Sequence, residues 1–108
     1  MNRFTLPTPS RIWNKDDVKA LYLELSNTPI VWKQYGSKLF GLINSAAIFL
    51  ITLNEEMEIV VETWYPGQER VLSNWNIETL DNAKRLAEHY YRIWLKADFR
   101  KMLDALGE

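Results

Sequence analysis

The segment from Thr79 to Leu106 constrains the fold most, because it contains neither Pro nor Gly and is typical of one helix. Thr79 is suited to the N-cap position, and Asp81 follows in the first turn, where a negative charge is favourable. At 1.5 Å per residue such a helix would be roughly 42 Å long. That is long for a chain of 108 residues.

The apolar residues of this helix do not keep to one side. When residues are placed about 100° apart, the first half forms one stripe that we expect to lie on a sheet. Its members are Leu80, Ala83, Leu86, Ala87, Tyr90, Trp94 and Ala97. The second half forms another stripe, centred more than about 100° away. That stripe holds Leu95, Phe99, Met102, Leu103 and Leu106.

Two interpretations of the second stripe remain open. In one, the helix kinks near Lys96-Ala97-Asp98, Asp98 caps a short second helix, and the apolar side folds back on the domain. In the other, the helix is straight and presents part of the stripe to another chain, as a helix in a groove or a homodimer seam. The residues presented would be Leu95, Phe99, Met102 and Leu106.

The first half of the chain predicts an extended arm, one short helix and then a sheet. Residues 1–13, with Pro7 and Pro9, are the arm, and Phe4, Leu6 and Ile12 are candidates to hold it against the body. Asn14 is suited to cap a helix over 14–26. From Ile30 onward the pattern favours strands joined by short turns, near 30–35, 38–43, 46–53, 57–65 and 68–74.

Short connections between these strands predict antiparallel pairing. AAIFLITL lacks polar alternation, which indicates a central strand covered on both faces, and Tyr65-Pro66-Gly67-Gln68 suits a type II turn. The predicted fold class is therefore α+β: an antiparallel sheet of four or five strands over 30–75, covered by a short N-terminal helix and a long C-terminal helix over 79–106. Length predicts a single domain over 1–108.

Composition excludes several classes of protein. The chain has no Cys, so disulfides and thiolate chemistry are excluded. The start of the chain lacks the apolar run of a signal peptide, and the run from Ala46 to Ile51 is too short to cross a bilayer. We therefore expect a cytoplasmic protein that does not bind membranes. The net charge of −1 gives no overall attraction to nucleic acid, so electrostatic function would have to be local.

Basic residues line up on a third side of the long helix, and we call them the basic ridge: Arg85, His89, Arg92, Lys96 and Arg100. One interpretation is a surface for phosphates or for an acidic partner. The other is a solvated face with i,i+4 ion pairs, such as Asp81 with Arg85 and Glu88 with Arg92. The solvated face is the more common use of such a pattern.

The sequence shows no catalytic or cofactor signature. His89 is the only His, which is weak support for a metal site or a general base. The acidic patch of Glu55, Glu56, Glu58 and Glu62 is better explained as protection of a strand edge. No Ser lies in a nucleophile motif, and no Gly belongs to a phosphate-binding loop. We therefore expect no enzyme, no cofactor and no metal.

Aromatic residues surround the Pro66-Gly67 turn. Trp32 and Trp75 are expected to pack against the long helix, whereas strand alternation puts Trp64 on the side of Glu58 and Glu62, where it could be exposed. Rings at such a position anchor protein partners or stack on bases. Trp64 and Tyr65 therefore join Leu95, Phe99, Met102 and Leu106 as predicted partner-binding residues.

The segment VVETWYPGQERVLSNWNIETLDNAKRLAEHYYRIW resembles the C-terminal half of many small orphan proteins encoded by bacteriophages and prophages. The resemblance implies a compact, non-enzymatic accessory protein. Several such proteins inhibit host machinery, including anti-restriction and anti-CRISPR factors. Many of those inhibitors are acidic DNA mimics, which this nearly neutral chain is not, so the implied mechanism is direct steric binding to a protein.

These observations together predict a protein-binding accessory protein, with a protein partner or a second copy of the chain as its ligand. The alternative is a nucleic-acid-binding accessory domain that uses the basic ridge and the aromatic residues of the hairpin around Pro66-Gly67.

Overall fold

The computed structural model describes residues 2–7, 13–72 and 77–107. Within them the chain forms two helices and five strands, which is the predicted α+β arrangement. In chain order the elements are α1 (Lys15–Asn27), β1 (Val31–Tyr35), β2 (Lys38–Ile43), β3 (Ala46–Leu53), β4 (Ile59–Thr63), β5 (Arg70–Val71) and α2 (Leu80–Ala105). Neither helix has an apolar stretch long enough to cross a membrane.

Local side-chain chemistry sets the ends of α1. Asn14 and Asp17 form a capping box: the Asn14 side chain accepts a hydrogen bond from the Asp17 N–H at 2.9 Å, and the Asp17 carboxylate accepts one from the Asn14 N–H at 3.2 Å. Thr28 ends the helix in an extended conformation, which the following Pro29 favours. Both ends are therefore determined within a few residues of sequence.

Replacing Asn14 by Ala is expected to lower the free energy of unfolding by about 1 kcal/mol, because the N–H of Asp17 loses its acceptor. Urea denaturation followed by circular dichroism measures this change. Glu24→Ala is the matched control, since Glu24 is exposed on the same helix and its substitution should stay within about 0.5 kcal/mol of the parent. Equal stability of the two variants would contradict a contribution from the cap.

The five strands form one antiparallel sheet in the order β1-β2-β3-β4-β5. The central strand β3 is buried from Ala47 to Ile51, as its unbroken apolar run predicted, but the described helices cover only one of its two faces. The β2–β3 turn uses positive φ at both Asn44 and Ser45, the geometry of a type I′ hairpin. At the β4–β5 connection, Gln68 donates to the Tyr65 carbonyl at 2.9 Å and Gly67 has φ +83°, which confirms the predicted type II turn.

The two sides of the sheet differ. On the helix side, Phe49 of β3 contacts Trp94 of α2, and Trp32 of β1 packs beside Phe49 and over Gly41. A Cβ at position 41 would lie 2.9 Å from the Trp32 ring, so only Gly fits under it. The other side, which we call the open side, carries the alternate residues of each strand and is covered by neither described helix. Trp75 lies outside the described residues.

The long helix α2 is continuous over 26 residues, so of the two interpretations left open, a second helix capped by Asp98 is wrong. Asp98 instead accepts a hydrogen bond from the Tyr65 hydroxyl at 2.7 Å. At 1.5 Å per residue α2 is about 39 Å long, whereas the longest strand, with 8 residues, spans about 26 Å. The helix is therefore longer than the sheet beneath it.

The excess length of α2 is covered by α1, and this corrects the prediction of an exposed second stripe. Leu95 and Phe99 are buried, with 0% and 2% of their surface exposed. Phe99 packs on Tyr22 of α1 with ring centroids 5.5 Å apart. Met102, Leu103 and Leu106 are half-buried against the same core.

The first predicted stripe also needs correction. Its members Leu80 and Ala97 are exposed, whereas Tyr91, outside that stripe, is buried. The buried positions form a single stripe at mostly four-residue intervals: Ala83, Ala87, Tyr91, Trp94, Leu95 and Phe99. Four residues advance by about 400°, so such a stripe drifts by about 40° at each step, from the sheet toward α1.

The N-terminal arm is held by both backbone and side chain. Phe4 donates its N–H to the Ala47 carbonyl at 2.8 Å, and Ala47 donates to the Asn2 carbonyl at 2.7 Å, so the arm pairs in parallel with the start of β3. The Phe4 ring is buried against Tyr65 and Tyr91. The prediction that Phe4 holds the arm is confirmed, Leu6 is half-buried, and Ile12 lies outside the described residues.

Candidate protein-binding groove

The two predicted anchors of the β4–β5 hairpin have different surroundings. Tyr65 is fully buried, because it points into the core between Phe4, Tyr91 and Trp94, so it cannot contact a partner in this conformation. Trp64 lies on the open side, as strand alternation predicted, but it is half-buried rather than exposed. The Phe40 ring lies 5.8 Å from it, and the Arg3 guanidinium lies 4.1 Å over its ring.

Burial raises the pKa of two tyrosine hydroxyls in this core. For Tyr65, burial and the hydrogen bond to the Asp98 carboxylate raise the pKa far above its usual range. Burial raises the pKa of Tyr91 to about 12, and its hydroxyl donates to the Leu25 carbonyl at 3.1 Å. Both hydroxyls therefore stay protonated, and they tie α2 to the hairpin and to α1. Their role is structural.

The helices α1 and α2 run antiparallel, and a groove lies along the line where they meet. Tyr22 contacts Phe99, and one turn further along α1 the Leu25 carbonyl meets Tyr91, eight positions earlier in α2. Two adjoining depressions follow this line and share Tyr22 and Lys96. We call them together the α1–α2 groove.

Apolar side chains form the floor of the α1–α2 groove. Tyr22 and Leu103 are half-buried, and Phe99 lies beneath them. Ile93 stands at the other end with 47% of its surface exposed. Leu23, the next residue after Tyr22 on α1, is 59% exposed but does not line the groove. The helical layer therefore keeps accessible apolar surface along the groove, although the second stripe of α2 is mostly hidden.

Basic side chains form the rim. Four of the five members of the basic ridge line the groove: His89, Arg92, Lys96 and Arg100. Lys19 of α1 joins them from the opposite side. Arg85 is exposed on the same helix but lies outside the groove lining. Among the described residues that line the groove, none is Asp or Glu.

No described residue of α2 forms an ion pair with the basic ridge. Among the described residues, neither the Asp81–Arg85 pair nor the Glu88–Arg92 pair is formed, so this part of the solvated-face interpretation is wrong. Arg92 instead donates to the Ser26 carbonyl at 3.4 Å, near the C-terminal end of α1. Such a carbonyl attracts a cation, and it positions Arg92 at the groove.

Sequence reasoning identified the ridge but missed the partner helix. Lys19 and Tyr22 of α1 complete the groove, and neither was among the predicted partner-binding residues. A signal was present for Lys19, because it falls outside the apolar stripe of α1. Which side of α2 this helix covers is not encoded in that pattern.

The remaining candidate residues are His89 and the acidic residues of the β3–β4 turn. The described residues contain no group of three or more His, Asp or Glu positioned to hold a metal ion. His89 is exposed, and its ring meets only Tyr90 edge-on at 5.5 Å among the rings of the described residues. Glu56 and Glu58 belong to the β3–β4 turn, where Asn54 accepts hydrogen bonds from both backbone N–H groups.

Neither protein-family models, nor curated proteins, nor solved structures match this chain. The resemblance of the C-terminal half to phage accessory proteins therefore stays a prediction.

Proposed function

We propose that this chain is a non-catalytic protein-binding accessory protein whose α1–α2 groove takes an acidic amphipathic helix of a partner protein. The observation that carries the proposal is a groove with an apolar floor of Tyr22, Phe99 and Leu103 and a rim of basic side chains without a described carboxylate. Binding would block whatever surface the partner helix serves, which is the mechanism expected of a steric inhibitor.

The apolar floor favours a protein helix over nucleic acid. A phosphate backbone would interact with Lys96 and Arg100 but would gain nothing from Leu103 or Ile93. An amphipathic helix lays apolar residues at i, i+3, i+4 and i+7 into such a floor, while acidic residues beside them reach the rim. The net charge of −1 also gives the chain no general attraction to a polyanion.

The test uses a fluorescein-labelled peptide that has Leu at i, i+3, i+4 and i+7 and Glu at the flanking positions. We expect fluorescence polarisation to show saturable binding to the wild-type chain. A Lys96→Glu/Arg100→Glu variant should bind at least about tenfold more weakly, because rim attraction becomes repulsion. Raising the salt concentration should weaken binding moderately, since the apolar contacts are not screened.

Three controls make the result specific. Arg85→Glu is also a charge reversal on α2, but it lies outside the groove. The affinity of this variant for the peptide should stay within about twofold of that of the wild type. A peptide of the same composition in shuffled order tests whether amphipathicity matters. A single-stranded oligonucleotide tests the alternative function.

Each contrary outcome has a definite meaning. No peptide binding at about 1 mM, or equal loss in the Arg85→Glu variant, would contradict the groove. Tighter binding of the oligonucleotide, with an affinity that falls steeply with salt, would replace the protein partner by nucleic acid.

A further inference from the structure

The open side of the sheet carries an apolar surface that the groove does not use. One row of cross-strand partners runs over all five strands: Lys33, Phe40, Leu50, Glu62 and Val71. Leu50 at its centre is 8% exposed, although no described helix covers this side. Phe40 and Trp64 pack beside it, and Val31, Tyr35 and Val71 are each about half exposed. Exposed apolar side chains gathered on one side of a sheet indicate an interaction surface.

On the open side, charged residues of opposite sign lie on the two halves of the sheet that flank β3. Lys33 of β1 and Lys38 of β2 stand on one half, next to Phe40. Glu62 of β4, half-buried, stands on the other half, and the described residues supply no ion pair to it. Arg3 adds a positive charge to the β4 half, where its guanidinium lies 4.1 Å from the centre of the Trp64 ring. Within the row itself, Lys33 and Glu62 give the two halves opposite charge, and the complementarity depends on Glu62 against Lys33 and Lys38.

We infer that the open side is the interface between two copies of this chain. The two-fold axis would lie between the two facing sheets, parallel to β3 and next to Leu50. It then places β2 of one copy opposite β4 of the other. Glu62 of one copy then lies under Phe40 of the other, between Lys33 and Lys38. Packed sheets stand about 10 Å apart, a gap that Lys and Glu side chains span together.

This pairing leaves the α1–α2 groove accessible, because the helices lie on the opposite side of the sheet. It also differs from the helix-end seam considered from the sequence, whose residues Leu95 and Phe99 are buried within one copy. A dimer of this kind would present two grooves facing away from each other, and so would bind two partner helices.

Sedimentation velocity from about 10 µM to about 1 mM protein tests the dimer, since this range covers weak as well as standard interfaces. We expect the wild-type chain to sediment as a dimer at high concentration. Lys38→Glu and Glu62→Lys should each weaken dimerisation at least about tenfold, because each substitution occurs twice in a two-fold interface and opposes like charges. The double variant, Lys38→Glu with Glu62→Lys, should restore dimerisation.

Arg85→Glu, on α2 and outside the groove, is the control and should leave the dimer unchanged. Circular dichroism and melting temperature confirm that each variant folds. A wild-type chain that is monomeric throughout the range would overturn the inference. So would a dimer that persists unchanged in both single variants, or one that the double variant does not restore.

Discussion

Phe99→Ala is expected to lower the free energy of unfolding by about 3–5 kcal/mol, the cost typical of emptying a buried Phe site. The Phe99 ring is 2% exposed and packs on Tyr22 at a centroid distance of 5.5 Å. Its loss removes contact between α1 and α2 and leaves a cavity that two packed helices can close only in part. Urea denaturation with linear extrapolation measures the change.

Ile93→Ala is the matched control for Phe99→Ala. Ile93 lies on the same helix with 47% of its surface exposed, so its truncation should cost less than about 1 kcal/mol. If Phe99→Ala were as mild as this control, the ring would be exposed in solution. The stripe of α2 would then be free to bind another chain, as one interpretation of the sequence had it.

Between pH 9 and pH 11 the free energy of unfolding is expected to fall by about 2–3 kcal/mol. Burial raises the pKa of Tyr91 to about 12, and burial with the Asp98 hydrogen bond raises the pKa of Tyr65 further. The unfolded chain releases both protons near pH 10, whereas the folded chain keeps them. The stabilisation is therefore complete below about pH 10 and is lost as the pH rises toward the folded pKa values.

Tyr65→Phe and Tyr91→Phe separate the two contributions. Each variant should be less stable than the wild type at neutral pH, because each loses one hydrogen bond of its hydroxyl. Between pH 9 and pH 11, the free energy of unfolding of each single variant should fall by about half as much as that of the wild type. That of the double variant should hardly change. A double variant that declines as steeply as the wild type would show that other groups cause the alkaline destabilisation.

The elements of secondary structure could be predicted because their signals are local. The Asn14 cap, Pro29 after α1, the Asn44-Ser45 hairpin and the Pro66-Gly67 turn each act within a few residues. The unbroken apolar run of β3 likewise indicates burial on both faces wherever the strand is placed. These features determine the order and type of the elements, and hence the α+β class.

The candidate groove could be predicted only in part. Charge spacing on α2 identified His89, Arg92, Lys96 and Arg100, because residues three and four apart share a helix face. Lys19 and Tyr22 were missed, because their position beside that face depends on how α1 docks. The contact that fixes this docking, from the Tyr91 hydroxyl to the Leu25 carbonyl, joins residues 66 positions apart.

The sequence by itself determined the order and type of the helices and strands and that the chain folds as α+β. Only the tertiary structure decided which side of α2 is hidden, where Tyr65 points and what lies beside the basic ridge. The physical reason is that a stripe advancing four residues at a time drifts around its helix, and whether the drift exposes Phe99 or buries it depends on a neighbour far away in the chain. Here that neighbour is α1.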